Sequence, residues 1–229
     1  MAVVKGSVIG YLSGKLGLLS ARTIKGRTIL AARPTNFNVS YVPALVEIRK
    51  KFAVTGKFVR NLLNLSALYQ IWSRVKEEKL SVFNTMFKKN FSVSSADKPT
   101  VNNIITPSDG FALPVTLATV GEDKITLAIA PLNTVAVIDE QIERNYVING
   151  MLCYYNPVNA EDESFGITGL IKPPAVIDVV NPLSIEIPLN VVQQALAERF
   201  QDSILYIALA TLDAEGKVVQ YSATFTQNQ

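Results

Sequence analysis

The stretch Ile204–Thr226, ILYIALATLDAEGKVVQYSATFT, decides the class of fold. Two runs rich in Ile, Leu, Val, Tyr and Thr, Ile204–Leu212 and Lys217–Thr226, flank Asp213-Ala214-Glu215-Gly216. A short polar segment ending in glycine between two β-prone runs is a hairpin signal, since such turns need a residue that accepts positive φ. The same punctuation recurs toward the N-terminus. Val115–Thr119 and Lys124–Ile129 flank Gly121-Glu122-Asp123, and Met151–Asn156, Phe165–Thr168 and Leu183–Ile187 read as further short strands. Asn190 is placed to cap a short helix over Val191–Phe200. Six or seven short strands at turn-punctuated intervals predict an antiparallel sandwich over 114–229.

Residues 92–113, SVSSADKPTVNNIITPSDGFAL, are rich in Ser, Asn, Asp and Pro and read as a linker or a long connection. Residues 41–91 read as helical. Pro43 suits a first helical turn, and Leu45, Ile48, Phe52, Val59, Leu62 and Leu63 form an apolar stripe, with Arg49, Lys50, Lys57 and Arg60 largely off it. Ser66 is placed to cap a second helix carrying Leu68, Ile71, Trp72 and Val75, and Ser81 a third carrying Phe83, Met86 and Phe87. Residues 1–40 hold glycines at 6, 10, 14, 17 and 26, which argue against a helix. Leu18–Thr23 and Arg27–Ala32 flank Ile24-Lys25-Gly26 as a short hairpin. The chain is therefore expected to be α+β: a basic Gly-rich arm or hairpin, short helices, a linker, and an antiparallel β-sandwich.

Charge divides along the same boundary. Residues 1–100 carry 17 Lys/Arg against 4 Asp/Glu, a balance of +13, and residues 101–229 carry 5 against 15, a balance of −10. The first 40 residues hold six bases, Lys5, Lys15, Arg22, Lys25, Arg27 and Arg33, and no acid. Opposite fields on one chain favour attraction between copies, and a contact between two different surfaces builds rings or filaments. The six bases are the candidate contact residues, toward a neighbouring subunit or toward nucleic acid. Two domains that differ in charge without consequence would show the same division.

Several chemistries are excluded. Histidine is absent, which removes Ser-His-Asp and Cys-His catalysis and nearly every common zinc site. The single cysteine, Cys153, excludes an internal disulfide and lies in an apolar run, where an inert buried thiol is expected. No window of 18 uninterrupted apolar residues exists, so no membrane span is expected. The N-terminal apolar run is broken by Gly10, Ser13, Gly14 and Lys15 and reads as mature protein, not a signal peptide. Glu161-Asp162-Glu163 lacks the spacing of a calcium loop, and Asp139, Glu140 and Glu143 have no converging partner for hydrolysis. Gly10-x-x-x-Gly14 is not framed as a phosphate loop. Tyr154, Tyr155 and Tyr206 read as core or edge residues of the sandwich. No catalytic residue, metal ligand or cofactor site is expected, and the chain reads as a non-enzyme.

Three groups of residues together resemble a known family. They are Gly10-x-x-Ser13-Gly14-Lys15-x-Gly17 followed by Lys25-Gly26-Arg27 and Arg33-Pro34; Phe83-Asn84-x-x-Phe87-x-x-Asn90; and Ala208-x-x-x-x-Asp213-x-x-Gly216-Lys217-Val218-Val219-x-x-Ser222. The order of these motifs is similar to that of small uncharacterised proteins of Bacteroidota and their phages. Those pair a basic Gly-rich N-terminus and helices with an immunoglobulin-like β-domain. The Lys172-Pro173-Pro174 stretch departs from the pattern. The resemblance implies an immunoglobulin-like sandwich and assigns no activity. With the split charge and the arm, it leads to the expectation of a self-assembling structural protein. It is expected to be a virion component associated with capsid or tail, assembled in the bacterial host cytoplasm; outside a virion the expected place is cytoplasmic. Its expected partners are its own copies and other structural proteins. A surface module binding glycan or protein, and a nucleic-acid-associated protein acting through the basic half, stay open beside it.

Overall fold

A computed structural model describes residues 2–3, 12–24, 26–34, 36 and 39–229, and the chain divides into two compact units, 1–43 and 44–229. In the first unit β1 (Ala2–Val3), β2 (Gly14–Leu16), β3 (Leu19–Ile24) and β4 (Arg27–Ala32) form an antiparallel sheet in the order β1-β4-β3-β2. The β3–β4 connection is the expected hairpin, and Gly26 adopts the left-handed φ of +74° that the turn requires.

The second unit begins with α1 (Pro43–Leu63), α2 (Ser66–Val75) and α3 (Val82–Phe91). It continues with β5 (Val115–Val120), β6 (Lys124–Ile129), β7 (Asn145–Pro157), β8 (Phe165–Val176) and β9 (Leu183–Pro188). After α4 (Val191–Ala197) come β10 (Phe200–Leu212), β11 (Val218–Tyr221) and β12 (Phe225–Asn228). One sheet runs β11-β10-β7-β8 with β12 also on β10, and a second runs β5-β6-β9. The chain is thus α+β with antiparallel sheets.

The layers follow from side-chain alternation in β7 and β10. Val147, Met151, Cys153 and Tyr155 of β7, with Ile204, Tyr206, Ala208 and Ala210 of β10, join Phe58, Leu62, Leu68, Ile71 and Trp72 of the helices in one core. The intervening Ile148, Leu152 and Tyr154, with Leu205, Ile207 and Leu209, join Ile125, Leu127, Ile129, Ile185 and Ile187 of the smaller sheet in another. Both central strands are therefore buried on both faces, and the helices and the smaller sheet cover opposite sides. Phe58 meets Tyr206 edge to face at 5.4 Å, and the Trp72 indole donates to the Ile105 carbonyl at 2.8 Å.

Residues 92–113 are not a linker. Ser94, Asn103, Ile105 and Thr106 are buried, and polar bonds fasten the segment at both ends. Asn90 Nδ2 donates to the Met86 and Ile104 carbonyls, while Asn90 Oδ1 accepts from Ile104 N at 2.8 Å and Asn103 Nδ2 at 3.0 Å. Thr224 Oγ1 accepts from Ile105 N and Thr106 N, and Phe111 exchanges backbone bonds with Tyr221 and Ala223 beside β11. A Cβ on Gly110 would stand 2.5 Å from the Ser222 carbonyl carbon, so only glycine passes there. The polar side chains that suggest a loop are the ones that satisfy its buried backbone.

Other boundaries also moved. Ser66 is the first residue of α2, with Leu65 at the N-cap and no side-chain cap, whereas Ser81 caps α3 through Asn84 N. Asn190 caps α4 in a reciprocal box with Gln193, and α4 ends at Ala197. Within the N-terminal part of the α1 stripe Leu45, Ile48 and Phe52 are exposed, Phe52 meeting Phe87 and Phe91 of α3, so burial falls instead on Val54, Phe58, Val59 and Leu62. Strand β8 passes through Pro173 and Pro174 because it is an edge strand and both prolines sit in a register irregularity between Lys172 and Ala175.

Replacing Asn90 by Ala strands Ile104 N–H, frees the Ile104 carbonyl and leaves the Asn103 amide with Ser94 Oγ, so a loss of about 2–3 kcal/mol in urea unfolding is expected. Asn84→Ala, on the exposed side of α3, is expected to shift stability by no more than about 1 kcal/mol. Equal effects would show that the buried network does not hold the segment.

Candidate functional site: a cationic sheet face

The register of the small sheet sorts the candidate bases. Lys15 pairs with Ser20, Arg22 with Ile29, and Arg27 with Ile24. Directly paired residues share a face and alternate residues along a strand return to it, so Lys15, Arg22 and Arg27 lie on one face. Each is a diagonal neighbour of the next across β2, β3 and β4, a step of about 7–8 Å. All three are exposed. Arg33 follows the end of β4, where its Nη1 donates to the Gly17 carbonyl at 3.3 Å. Lys5, Lys25 and Gly10 lie outside the described residues.

The sheet buries little of itself. Among the described residues of 12–34, Ala21 alone is a buried hydrophobe, while Leu16, Leu18, Leu19 and Ile24 are exposed. The first acid in the chain is Glu47, so residues 1–46 hold no internal counter-charge.

The unit 44–229 holds 16 Lys/Arg and 19 Asp/Glu, few of them joined in ion pairs. Its four ion pairs are Lys57–Glu163 at 2.5 Å, Lys88–Glu77 at 2.6 Å, Lys124–Glu186 at 2.8 Å and Arg199–Asp162. Only the first joins the basic half of the sequence to the acidic half. Glu161-Asp162-Glu163 is an exposed loop whose second and third carboxylates are held below the ordinary range by Arg199 and Lys57. Among the described residues no His, Cys, Asp and Glu side chains group as a metal site, and no helix is long and apolar enough to cross a membrane.

Glu143 has a structural role that its sequence position concealed. It is buried, accepting from Asp139 N at 3.1 Å, from Gln220 Nε2 at 2.9 Å and from the Thr211 hydroxyl. Asp139 and Glu140 are not drawn into a facing pair with it, since Glu143 closes its own turn. The signal was present only in hindsight: a carboxylate just before a strand whose partners lie in β10 and β11.

No protein-family model matches the chain, and no curated protein matches it. Among solved structures, a selenomethionine-labelled β-glucosidase from Kluyveromyces marxianus is 10% identical over 63% of this chain and 17% of that chain, with a TM-score of 0.21. The same enzyme in complex with glucose gives 9% identity, 62% and 17% coverage, and a TM-score of 0.20. The chain spans less than a fifth of that enzyme's length, and a likeness this slight carries no argument about fold or activity.

Cys153 is buried, and desolvation pushes its thiol from an ordinary 9.0 up to about 12. Tyr154 beside it is pushed up from 10.0 to about 12 by the same cause. Because the folded pKa values are the higher ones, these groups contribute fully below about pH 9 and that contribution is lost as pH rises toward 12. The urea midpoint is expected to fall between pH 8.5 and 10.5, and iodoacetamide is expected to label Cys153 at pH 8 only in denaturant. Rapid labelling of the native chain would contradict the burial.

Proposed function

We propose that this chain is a non-enzymatic structural protein that assembles with its own copies through the cationic face of its N-terminal sheet. The observation that carries the proposal is a sheet with three aligned cations, exposed leucines and an isoleucine, little interior and no acid of its own. A small sheet of this kind gains its stability and its counter-charge from another surface. The sparse crossing of ion pairs in the unit 44–229 supports the same reading, since most charge of each sign is left for partners. Within this class we favour a bacteriophage virion component, associated with capsid or tail and assembled in the host cytoplasm; its support is the order of sequence motifs shared with the Bacteroidota and phage proteins.

The pairing order supports reading the β-rich part as an immunoglobulin-like sandwich. Strands β5, β6 and β9 correspond to A, B and E on one sheet, and β8, β7 and β10 to C′, C and F on the other, with β11 and β12 as an interrupted G. Phe111 bridges Ser222 in parallel at that last strand. The helices would then be an added layer on the C′CFG face.

Nucleic acid is a second reading, favoured by the alignment of Lys15, Arg22 and Arg27 across three strands. Phosphate contacts make affinity fall steeply with salt, with a log–log slope of about −0.9 per phosphate neutralised on duplex DNA.

Sedimentation velocity of the full chain is expected to show reversible association at low salt that weakens as salt rises, without added nucleic acid. A clean monomer at high concentration and low salt would overturn the assembly reading. Binding of DNA with a slope near −3, and no self-association, would favour the second reading. Portal, capsid or tail genes beside the coding gene are expected for a virion component.

A further inference from the structure

The end of the stacked sheets formed by the β5–β6 turn, the close of α4 and the start of β10 holds a cleft of about 780 Å³. Its carboxylates are Glu122, Asp123, Glu198 and Asp202, and among the described residues no lysine or arginine lines it. The cations adjacent in sequence are engaged elsewhere, Lys124 Nζ with Glu186 and Arg199 with Asp162. Asp202 accepts from Asn156 Nδ2, whereas Glu122, Asp123 and Glu198 are exposed.

A second feature points to a ligand. Tyr154 lines the cleft and stacks on Phe200 with ring centroids 6.3 Å apart. Only 4% of its surface is exposed, and its hydroxyl has no hydrogen-bond partner. An unmet buried hydroxyl costs about 1–3 kcal/mol, which a polar group delivered by a ligand recovers. Carboxylates lining the cleft together with Tyr154 and Phe200 suit a guanidinium or ammonium, which gains from both.

We propose that this cleft receives the cationic sheet face of a second copy, with Lys15, Arg22 and Arg27 meeting Glu122, Asp123, Glu198 and Asp202. The inference rests on the assembly reading and adds the acceptor. Charge matching selects the occupant: the first 46 residues supply cations without a single acid, and the cleft supplies carboxylates without a cation. Exposed ion pairs are worth little singly, so the contact needs several at once together with Ile24, which shares the cationic face. Since donor and acceptor are different surfaces, copies join head to tail, and the product is a ring or a filament.

A charge swap in the full chain tests this. Arg22→Glu with Arg27→Glu, and separately Glu122→Lys with Glu198→Lys, alter exposed side chains, and each variant alone is expected to lose about tenfold or more in self-association by sedimentation. An equimolar mixture of the two is expected to regain it, because each variant's donor then faces the other's acceptor with opposite sign. Wild-type association by the cleft variant, with loss only in the sheet variant, would overturn the cleft as acceptor and leave the assembly reading intact. A wild-type chain that stays monomeric would overturn both. If either pair melts early, Lys15→Glu and Glu198→Lys singly carry the same comparison. Tyr154→Phe is expected to weaken association several-fold while the unassociated chain becomes no less thermally stable, and undiminished association would remove the hydroxyl from the contact.

Discussion

Strands β7 and β10 pair along their whole length, from Phe200 against Pro157 to Leu212 against Asn145, and both faces of that pair are covered. Every other layer depends on this ladder. A strand buried on both sides cannot shift its register by one residue without exchanging the contents of two cores. Gly150 shows how tightly the fit is drawn, since a Cβ there would stand 2.7 Å from Ile207 Cδ1. The helices, lacking a bundle of their own, are organised by the sheet they lie on.

The strong hairpins were legible because their turns carry chemical signatures. Gly26 and Gly216 take positive φ, and Asp213 Oδ1 accepts from Glu215 N and Lys217 N. The layering was not legible. A strand with two apolar faces reads as a continuous run, so Ile204–Leu212 gives no clue that alternate residues serve different cores. The α1 stripe misled for a related reason: periodicity marks an apolar face without saying which part of it finds cover. Asn90 and Asn103 were hidden because buried amides and loop amides look alike in sequence. For the candidate site, the composition of residues 1–40 was plain, but alignment of Lys15, Arg22 and Arg27 required the strand register, since their spacings of seven and five carry no shared period.

The charge division acquires a spatial meaning in the unit 44–229. Its basic helices lie on one side of the larger sheet and the smaller sheet, β5-β6-β9, on the other, and among the described residues Lys57–Glu163 is the ion pair that joins the basic and acidic halves of the sequence. Separation of this sort is maintained at an electrostatic disadvantage to the isolated chain. It is the arrangement expected where surfaces are reserved for contact and not for internal neutralisation.

The dependence of the helices on late strands also shapes how the chain is made. Gln70 accepts from Val218 N, 148 residues further on, and Arg74 donates to the Val218 and Val219 carbonyls. At translation rates of about 5–20 residues per second, that interval is on the order of ten seconds. Throughout it Phe58, Leu62, Ile71 and Trp72 have been made without β10 and β11, which complete their core. The nascent polypeptide therefore presents apolar and positively charged surface before the strands that complete its core have been made.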